Sequence, residues 1–219
     1  MMKPIIVVCC TLFLLSCANT NNHWISLFNG KDLTGWKANC CPESFTVVDG
    51  AIRAHCTSDS VRSHLFYVGE DENELVRFKD FELIAIAKGE PNSNSGIFFH
   101  TDYSERDDKK HLYKGYEIQL NSSKKEKRKT GSLYAIVDLD ETPVDDTQWF
   151  EVHLIVKGKN IQVNLDGQNI IDYTEPENPA RPPNRTGRVL DPQGGAIALQ
   201  AHDANSTWYF KEIRIRPIL

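Results

Sequence analysis

Along most of the chain, apolar residues come in short runs or alternate with polar ones, and no segment sustains a long helical period. A half-buried strand turns every second side chain to the core, whereas an amphipathic helix does so at every third or fourth, so the pattern predicts strands. Eleven segments carry it: Phe45–Val48, Ala51–His55, Phe81–Ala87, Gly96–His100, Tyr116–Leu120, Ser132–Val137, Phe150–Lys157, Ile161–Leu165, Ile170–Tyr173, Gly195–Ala201 and Trp208–Arg216. Three hairpins are predicted, at Asp49-Gly50, Gly158-Lys159-Asn160 and Asp166-Gly167, where Gly and Asp accept the positive φ of tight turns. Strands at this spacing predict an all-β sandwich or barrel. The stretch from Pro176 to Pro183 reads as a long surface loop inside one domain, because a domain break there would orphan the strands on both sides.

The N-terminus departs from this pattern. Lys3 precedes an apolar run from Ile5 to Leu15, too short to span a bilayer as a stable helix. The run ends in Leu14-Leu15-Ser16-Cys17, which resembles a bacterial lipobox, and the polar Asn19-Thr20-Asn21-Asn22 follows. The expected organisation is a lipoprotein signal over residues 1–16, a polar tether over 17–23 lipidated at Cys17, and one β-sandwich domain over 24–219. That places the protein in the cell envelope, held to a membrane by lipid and facing the periplasm. Cys40, Cys41 and Cys56 then remain in the fold. In an oxidising compartment one disulfide is expected. Folding the hairpin at Asp49-Gly50 brings Cys41 toward Cys56, so Cys41–Cys56 is the favoured pair and Cys40–Cys56 the second.

The 219 residues carry 25 Lys and Arg against 30 Asp and Glu, a net charge of −5. An acidic chain is a poor partner for nucleic acid. The basic run from Lys124 to Lys129 therefore reads as a solvated loop between strands.

Three strands place polar residues at period two. Glu117 and Gln119 share one face of their strand, opposite Tyr116, Ile118 and Leu120. Gln200 and His202 lie opposite Ile197, Leu199 and Ala201, and alternation puts His100 on the face of Phe98. A pocket lined by one carboxylate, two amides and two imidazoles can bind a polyhydroxylated ligand and move protons. The segment from His100 to His111 is rich in hard ligands (Asp102, Glu105, Asp107, Asp108), which makes a divalent cation a candidate cofactor.

Six motifs occur in order: Phe28-Asn-Gly-Lys-Asp-Leu-Thr-Gly-Trp36, Asn94-Ser-Gly-Ile-Phe-Phe99, Gly115-Tyr-Glu-Ile-Gln-Leu120, Thr130-Gly-Ser-Leu-Tyr134, Asp166-Gly167 and Ala196-Ile-Ala-Leu-Gln-Ala-His202. Together they resemble the 3-keto-disaccharide hydrolase family, long known as a domain of unknown function in exported bacterial proteins. The resemblance spans Trp24 to Leu219. It implies a concanavalin-like jelly roll of two antiparallel sheets. It also implies a carbohydrate substrate already oxidised at sugar carbon 3 by a separate oxidoreductase. The ketone acidifies the hydrogen on carbon 2; a base removes it, and the anomeric group leaves by β-elimination. Carried onto this chain, Glu117 is the first candidate for the base. Gln119 and Gln200 would hold hydroxyls, and Tyr134 would line the cleft. His100 and His202 would polarise the carbonyl, protonate the leaving group or bind a metal. Many relatives carry Arg where His100 stands.

A conventional retaining glycosidase needs two carboxylates about 5–5.5 Å apart. Laminarinase-like enzymes on this fold supply them from one strand as E-x-D-x-x-E. Here the matching stretch runs from Glu117 through Gln119 to Ser122, which leaves a single acid, with Asp138 and Asp140 as second candidates on a neighbouring segment. A non-catalytic carbohydrate-binding lipoprotein, with Trp36, Trp149 and Tyr134 as stacking platforms, is the other alternative.

Overall fold

The computed structural model describes residues 23–71 and 74–218. Cys17, the signal-like segment and most of the tether lie outside the described residues. Among the described residues thirteen strands follow in chain order: β1 (Ile25–Ser26), β2 (Trp36–Ala38), β3 (Phe45–Val48), β4 (Ala51–Ala54), β5 (Ser63–Tyr67), β6 (Phe81–Gly89), β7 (Asn94–Thr101), β8 (Tyr116–Asn121), β9 (Phe150–Lys157), β10 (Asn160–Leu165), β11 (Gln168–Thr174), β12 (Ala196–Ala201) and β13 (Trp208–Pro217). They form two antiparallel sheets. One runs β11-β10-β9-β6-β13-β4-β3, with β1 also paired to β13; the other runs β2-β5-β12-β7-β8. The three hairpins close as expected, with Val48 opposite Ala51, Lys157 opposite Asn160, and Leu165 opposite Gln168.

The alternation in the sequence becomes the core between the sheets. On β9, Phe150, Val152, Leu154 and Val156 are buried, while Glu151, His153 and Ile155 turn outward and are half-buried. They belong to one cluster with Ile97, Phe99, Ile118, Leu120, Ile197 and Leu199 of the second sheet. The five-stranded sheet is buried on its other face too: every residue of β8 and β12 is buried. There Phe66, Phe98, Ala196 and Ala198 pack under Leu112, which belongs to the loop joining β7 to β8. That loop covers the apolar part of the outer face.

Three local expectations are corrected. Ser132–Val137 is not a strand: only isolated bridges form there, from Leu133 to Ile118 and to Val137, and Ala135 takes a φ of 60°. β5 was not expected, because Ser63 and His64 interrupt its apolar pattern. The Cys41–Cys56 bond is absent, and Cys40, Cys41 and Cys56 are free thiols. Cys41 sits at a left-handed φ of 48° before a 3-10 turn at Pro42–Ser44, and Cys56 is buried with its Sγ directed at Val61 O. Burial first, then the adjacent Cys40 thiol, pushes the Cys41 thiol up to about 11, which suppresses its thiolate at neutral pH.

Candidate active site

The outer face of the five-stranded sheet carries two cross-strand rows. Phe66, Ala198, Phe98 and Glu117 lie side by side on β5, β12, β7 and β8. One pleat along, His64 pairs with Gln200 and Gly96 with Gln119. The first row is mostly apolar and the second polar, so the pocket begins where the apolar cover ends. Gly96 creates the room for it: a Cβ there would lie 2.8 Å from Glu117 Oε1 and 3.1 Å from its Cγ. Gly96→Ala is expected to displace the Glu117 side chain, to lower turnover at least tenfold and to lower the melting temperature by disturbing the Glu117–Arg188 pair; steady-state kinetics beside a melting curve will show it.

Glu117 is 6% exposed and makes an ion pair with Arg188, whose Nη2 donates to Oε2 at 3.1 Å. Arg188 is itself buried; its Nη1 reaches Gly115 O at 3.3 Å and its guanidinium lies 5.3 Å over the Phe98 ring. Burial pushes the Glu117 carboxyl above its usual range, and Arg188 opposes that rise, followed by His202, Arg106 and Arg185. Arg188 comes from the long loop between β11 and β12. The loop is tied down by a second buried network: Tyr116 donates to Glu175, the Leu190 N–H donates to the same carboxylate at 2.9 Å, and Arg181 bonds the hydroxyls of Tyr116 and Tyr173 at 2.9 Å each.

His202 stands across the pocket just past the end of β12. Its Nδ1 faces Asp203 Oδ2 at 2.7 Å, and that bond, the largest cause, holds Asp203 down to about 2. A carboxylate on Nδ1 fixes the orientation and tautomer of the ring. Nε2 is left toward the cleft, 3.4 Å from Asn94 Nδ2 and 3.5 Å from Arg62 Nη2. Gln119 donates to Asn94 Oδ1 at 3.1 Å. Gln200 Nε2 meets His64 Nε2 at 3.1 Å, and Gln200 Oε1 is buried without a hydrogen-bond partner. Burial holds the His64 imidazole well below its usual range, hence neutral. Tyr134 lies between two guanidinium groups, Arg128 at 4.7 Å and Arg185 at 4.9 Å from its ring centre. Arg106 also lines the pocket, and its Nη1 is buried with no partner.

Five of the six residues expected from sequence therefore meet around one pocket: Glu117, Gln119, Tyr134, Gln200 and His202. His100 does not join them. Its φ of 53° breaks the strand alternation beside the register shift between β7 and β12. The ring goes to the core side, stacked on Phe81, with Nε2 donating to Lys79 O at 2.8 Å and Nδ1 accepting the Asp191 N–H at 3.1 Å. Burial lowers its basicity. Gly195 permits this approach, since a Cβ there would fall 2.3 Å from the His100 carbonyl carbon. The acidic segment is dispersed as well: Asp102 pairs with Lys114, Glu105 with Lys110, and Asp107 with His111. Among the described residues no group of three or more His, Cys, Asp or Glu is placed to hold a metal ion. Asp138 is engaged by Arg128 and the Ala135 N–H. Trp36 is buried in the core, and Trp149 lies under Lys88 and Lys211 on the other sheet. Arg188, Arg106, His64 and Asp203 were not anticipated; only Asp203, next to His202, had a signal in the sequence.

The inner pocket has a volume of about 50 Å³. It shares Asn94, His111, Glu126, Tyr134 and His202 with an outer cleft of about 780 Å³. The outer volume suits a small-molecule ligand, and the inner one admits only its reacting end.

The sandwich thus carries a buried carboxylate–guanidinium pair in a polar pocket. The family model described as a 3-keto-alpha-glucoside-1,2-lyase-like domain matches residues 23–216, and the chain belongs to that family. Family membership supports a glycosidase-type enzyme. No curated protein matches the sequence. Among solved structures, a candidate glycosyl hydrolase from Parabacteroides distasonis ATCC 8503 superposes with a TM-score of 0.73 at 22% identity, covering 90% of this chain and 95% of that one. The carbohydrate-binding module CBM66 from Bacillus subtilis gives 0.52 at 14% identity, with 84% and 96% covered. The exoplasmic/lumenal domain of VIP36, in its Ca2+/Man3GlcNAc-bound form, gives 0.58 at 12% identity, with 91% and 90% covered. At these identities the likeness is one of fold.

Proposed function

We propose that this protein cleaves the glycosidic bond of 3-keto-glycosides by removing the proton on carbon 2 and eliminating the anomeric group. The observation that carries this reading is the Glu117–Arg188 pair, a buried carboxylate with a raised proton affinity in the inner pocket that adjoins a sugar-sized cleft. Glu117 is the base. It takes the carbon-2 proton, the electron pair becomes an enediolate conjugated with the carbon-3 oxygen, and that oxygen gathers negative charge. Arg106, with a buried unpartnered Nη1, is the donor for this oxygen, the place where preorganised positive charge is most effective. Collapse of the enediolate expels the anomeric oxygen, and His202, paired through Nδ1 with Asp203, delivers a proton from Nε2 once the bound substrate has drawn away the Asn94 and Arg62 donors that face that atom. The product is an unsaturated 3-keto sugar, to which water adds back when the net outcome is hydrolysis. Gln119 and Gln200 bind hydroxyls; the buried Gln200 Oε1 needs a donor, and a sugar hydroxyl supplies one. The chemistry requires a separate oxidoreductase to make the ketone.

The test is incubation with a 3-keto-glucoside in deuterated water, followed at carbon 2 by NMR. Deuterium incorporation and loss of the anomeric substituent are expected. Binding of unoxidised sugar with neither event would establish a lectin-like role, and cleavage of an unoxidised glucoside would establish a conventional glycosidase. The chain is further proposed to be exported and tethered through Cys17. Cys17→Ser is expected to move it from the membrane to the soluble fraction on cell fractionation, and retention at the membrane would exclude the anchor.

A further inference from the structure

The proposed elimination leaves the basic run at Lys124 to Lys129 unused, and its members do different things. Arg128 is taken by Glu126 and Asp138, and Lys129 Nζ by the backbone oxygens of Ser123 and Glu126. Lys124 and Lys125 are exposed and line the outer cleft. Arg62 lines the same cleft from the sheet side, with a buried Nε that has no partner. Five Lys or Arg residues line the pocket and cleft together, against three carboxylates. Each of those carboxylates already has a cationic or imidazole partner: Glu117 has Arg188, Glu126 has Arg128 and Asp203 has His202. Among the described residues, none of the ion pairs at this cleft uses Arg62, Lys124 or Lys125. A chain of net charge −5 thus presents a cationic cleft mouth.

The position of this charge is informative. Arg62 Nη2 lies 3.5 Å from His202 Nε2, the atom assigned to protonate the leaving oxygen. Arg62 therefore flanks the leaving group, and Lys124 and Lys125 line the same cleft. We propose that the substrate's aglycone carries an oxyanion (a carboxylate, sulfate or phosphate) held by Arg62, Lys124 and Lys125. This rests on the elimination reading for the words "aglycone" and "leaving group", but the charge preference stands apart from the chemistry. Opposite charge at a cleft mouth raises encounter rate and affinity, and both fall as salt screens it.

The experiment uses two aryl 3-keto-glucosides that differ only in a para carboxylate or a para carboxamide, together with the same pair unoxidised. A para sulfonate and a para phosphate separate the sources of negative charge. Calorimetric binding of the unoxidised pair to the wild-type protein is expected to favour the carboxylate at least tenfold in 50 mM NaCl, and less than threefold in 500 mM. Lys124→Ala/Lys125→Ala is expected to reduce the tenfold ratio to below threefold. Equal affinity for carboxylate and carboxamide, no measurable binding of either, or an undiminished preference in the double variant would overturn the proposal. The keto pair separates it from the elimination. Carbon-2 exchange at equal kcat/KM for the charged and neutral compounds keeps the elimination and removes the oxyanion. A binding preference without exchange does the reverse.

Discussion

Glu117→Gln is expected to slow carbon-2 deuterium exchange by about 10³-fold, within the range of roughly 10²–10⁴ that a positioned general base contributes, while sugar binding stays within about threefold. Glutamine keeps the length and an oxygen that can accept the Arg188 Nη2 bond, but it cannot take a proton from carbon. Exchange followed by NMR and affinity followed by calorimetry separate the two effects. Equal exchange in both proteins would remove Glu117 from the base role. The pH profile adds an independent check. Burial raises the Glu117 carboxyl above its ordinary 4.5, so the acid limb of kcat/KM is expected above that value. A limb at or below 4.5 would mean that the titrating base is a solvated carboxylate elsewhere.

The part of this site that was legible in the sequence was the part built on alternation. Glu117 and Gln119 are two residues apart on β8, and Gln200 and His202 lie two apart on the β12 side; period two alone puts each pair on one face. The sheet then brings the pairs together across β7. What alternation cannot show is a residue delivered by a loop. Arg188 lies 71 positions from Glu117 in a Pro- and Arg-rich stretch, where nothing in the spacing separates the buried arginine from half-buried ones such as Arg181 and Arg185. The same rule failed in the other direction at His100, because one left-handed residue cancels the period after it. His64 was hidden for a related reason: a polar residue near the start of β5 looks like a strand end until its partner Gln200 is known. The disulfide expectation took account of the hairpin alone and missed the 3-10 turn at Pro42–Ser44 that separates it from Cys41, itself at a left-handed φ of 48°.

Arg188 supplies the other large effect. Arg188→Met is expected to cost about 3–5 kcal/mol, the range for removing one partner of a buried ion pair. That is a fall in Tm of roughly 10 °C for a domain of this size. The cost comes from Glu117, not from lost packing, because methionine retains most of the contact with Phe98. The sign of the pH dependence follows. Arg188 stabilises the charged carboxylate, so its removal raises the folded-state proton affinity of Glu117 further above the unfolded value near 4.5. The folded state then binds the extra proton, and stability falls as pH rises through the window above 4.5. The deficit of Arg188→Met is therefore expected to be small near pH 4.5 and to grow toward neutrality, with the acid limb of any residual activity moved to higher pH. Glu117→Gln/Arg188→Met is expected to recover most of the lost stability, because neither charge is then buried alone. It is expected to recover none of the exchange activity. A double variant no more stable than the single one would show that Arg188 holds the loop through Gly115 and Phe98 and not through its charge. In that case the rise in Glu117 proton affinity would come from burial with little opposition, and the acid limb would not move when Arg188 is replaced.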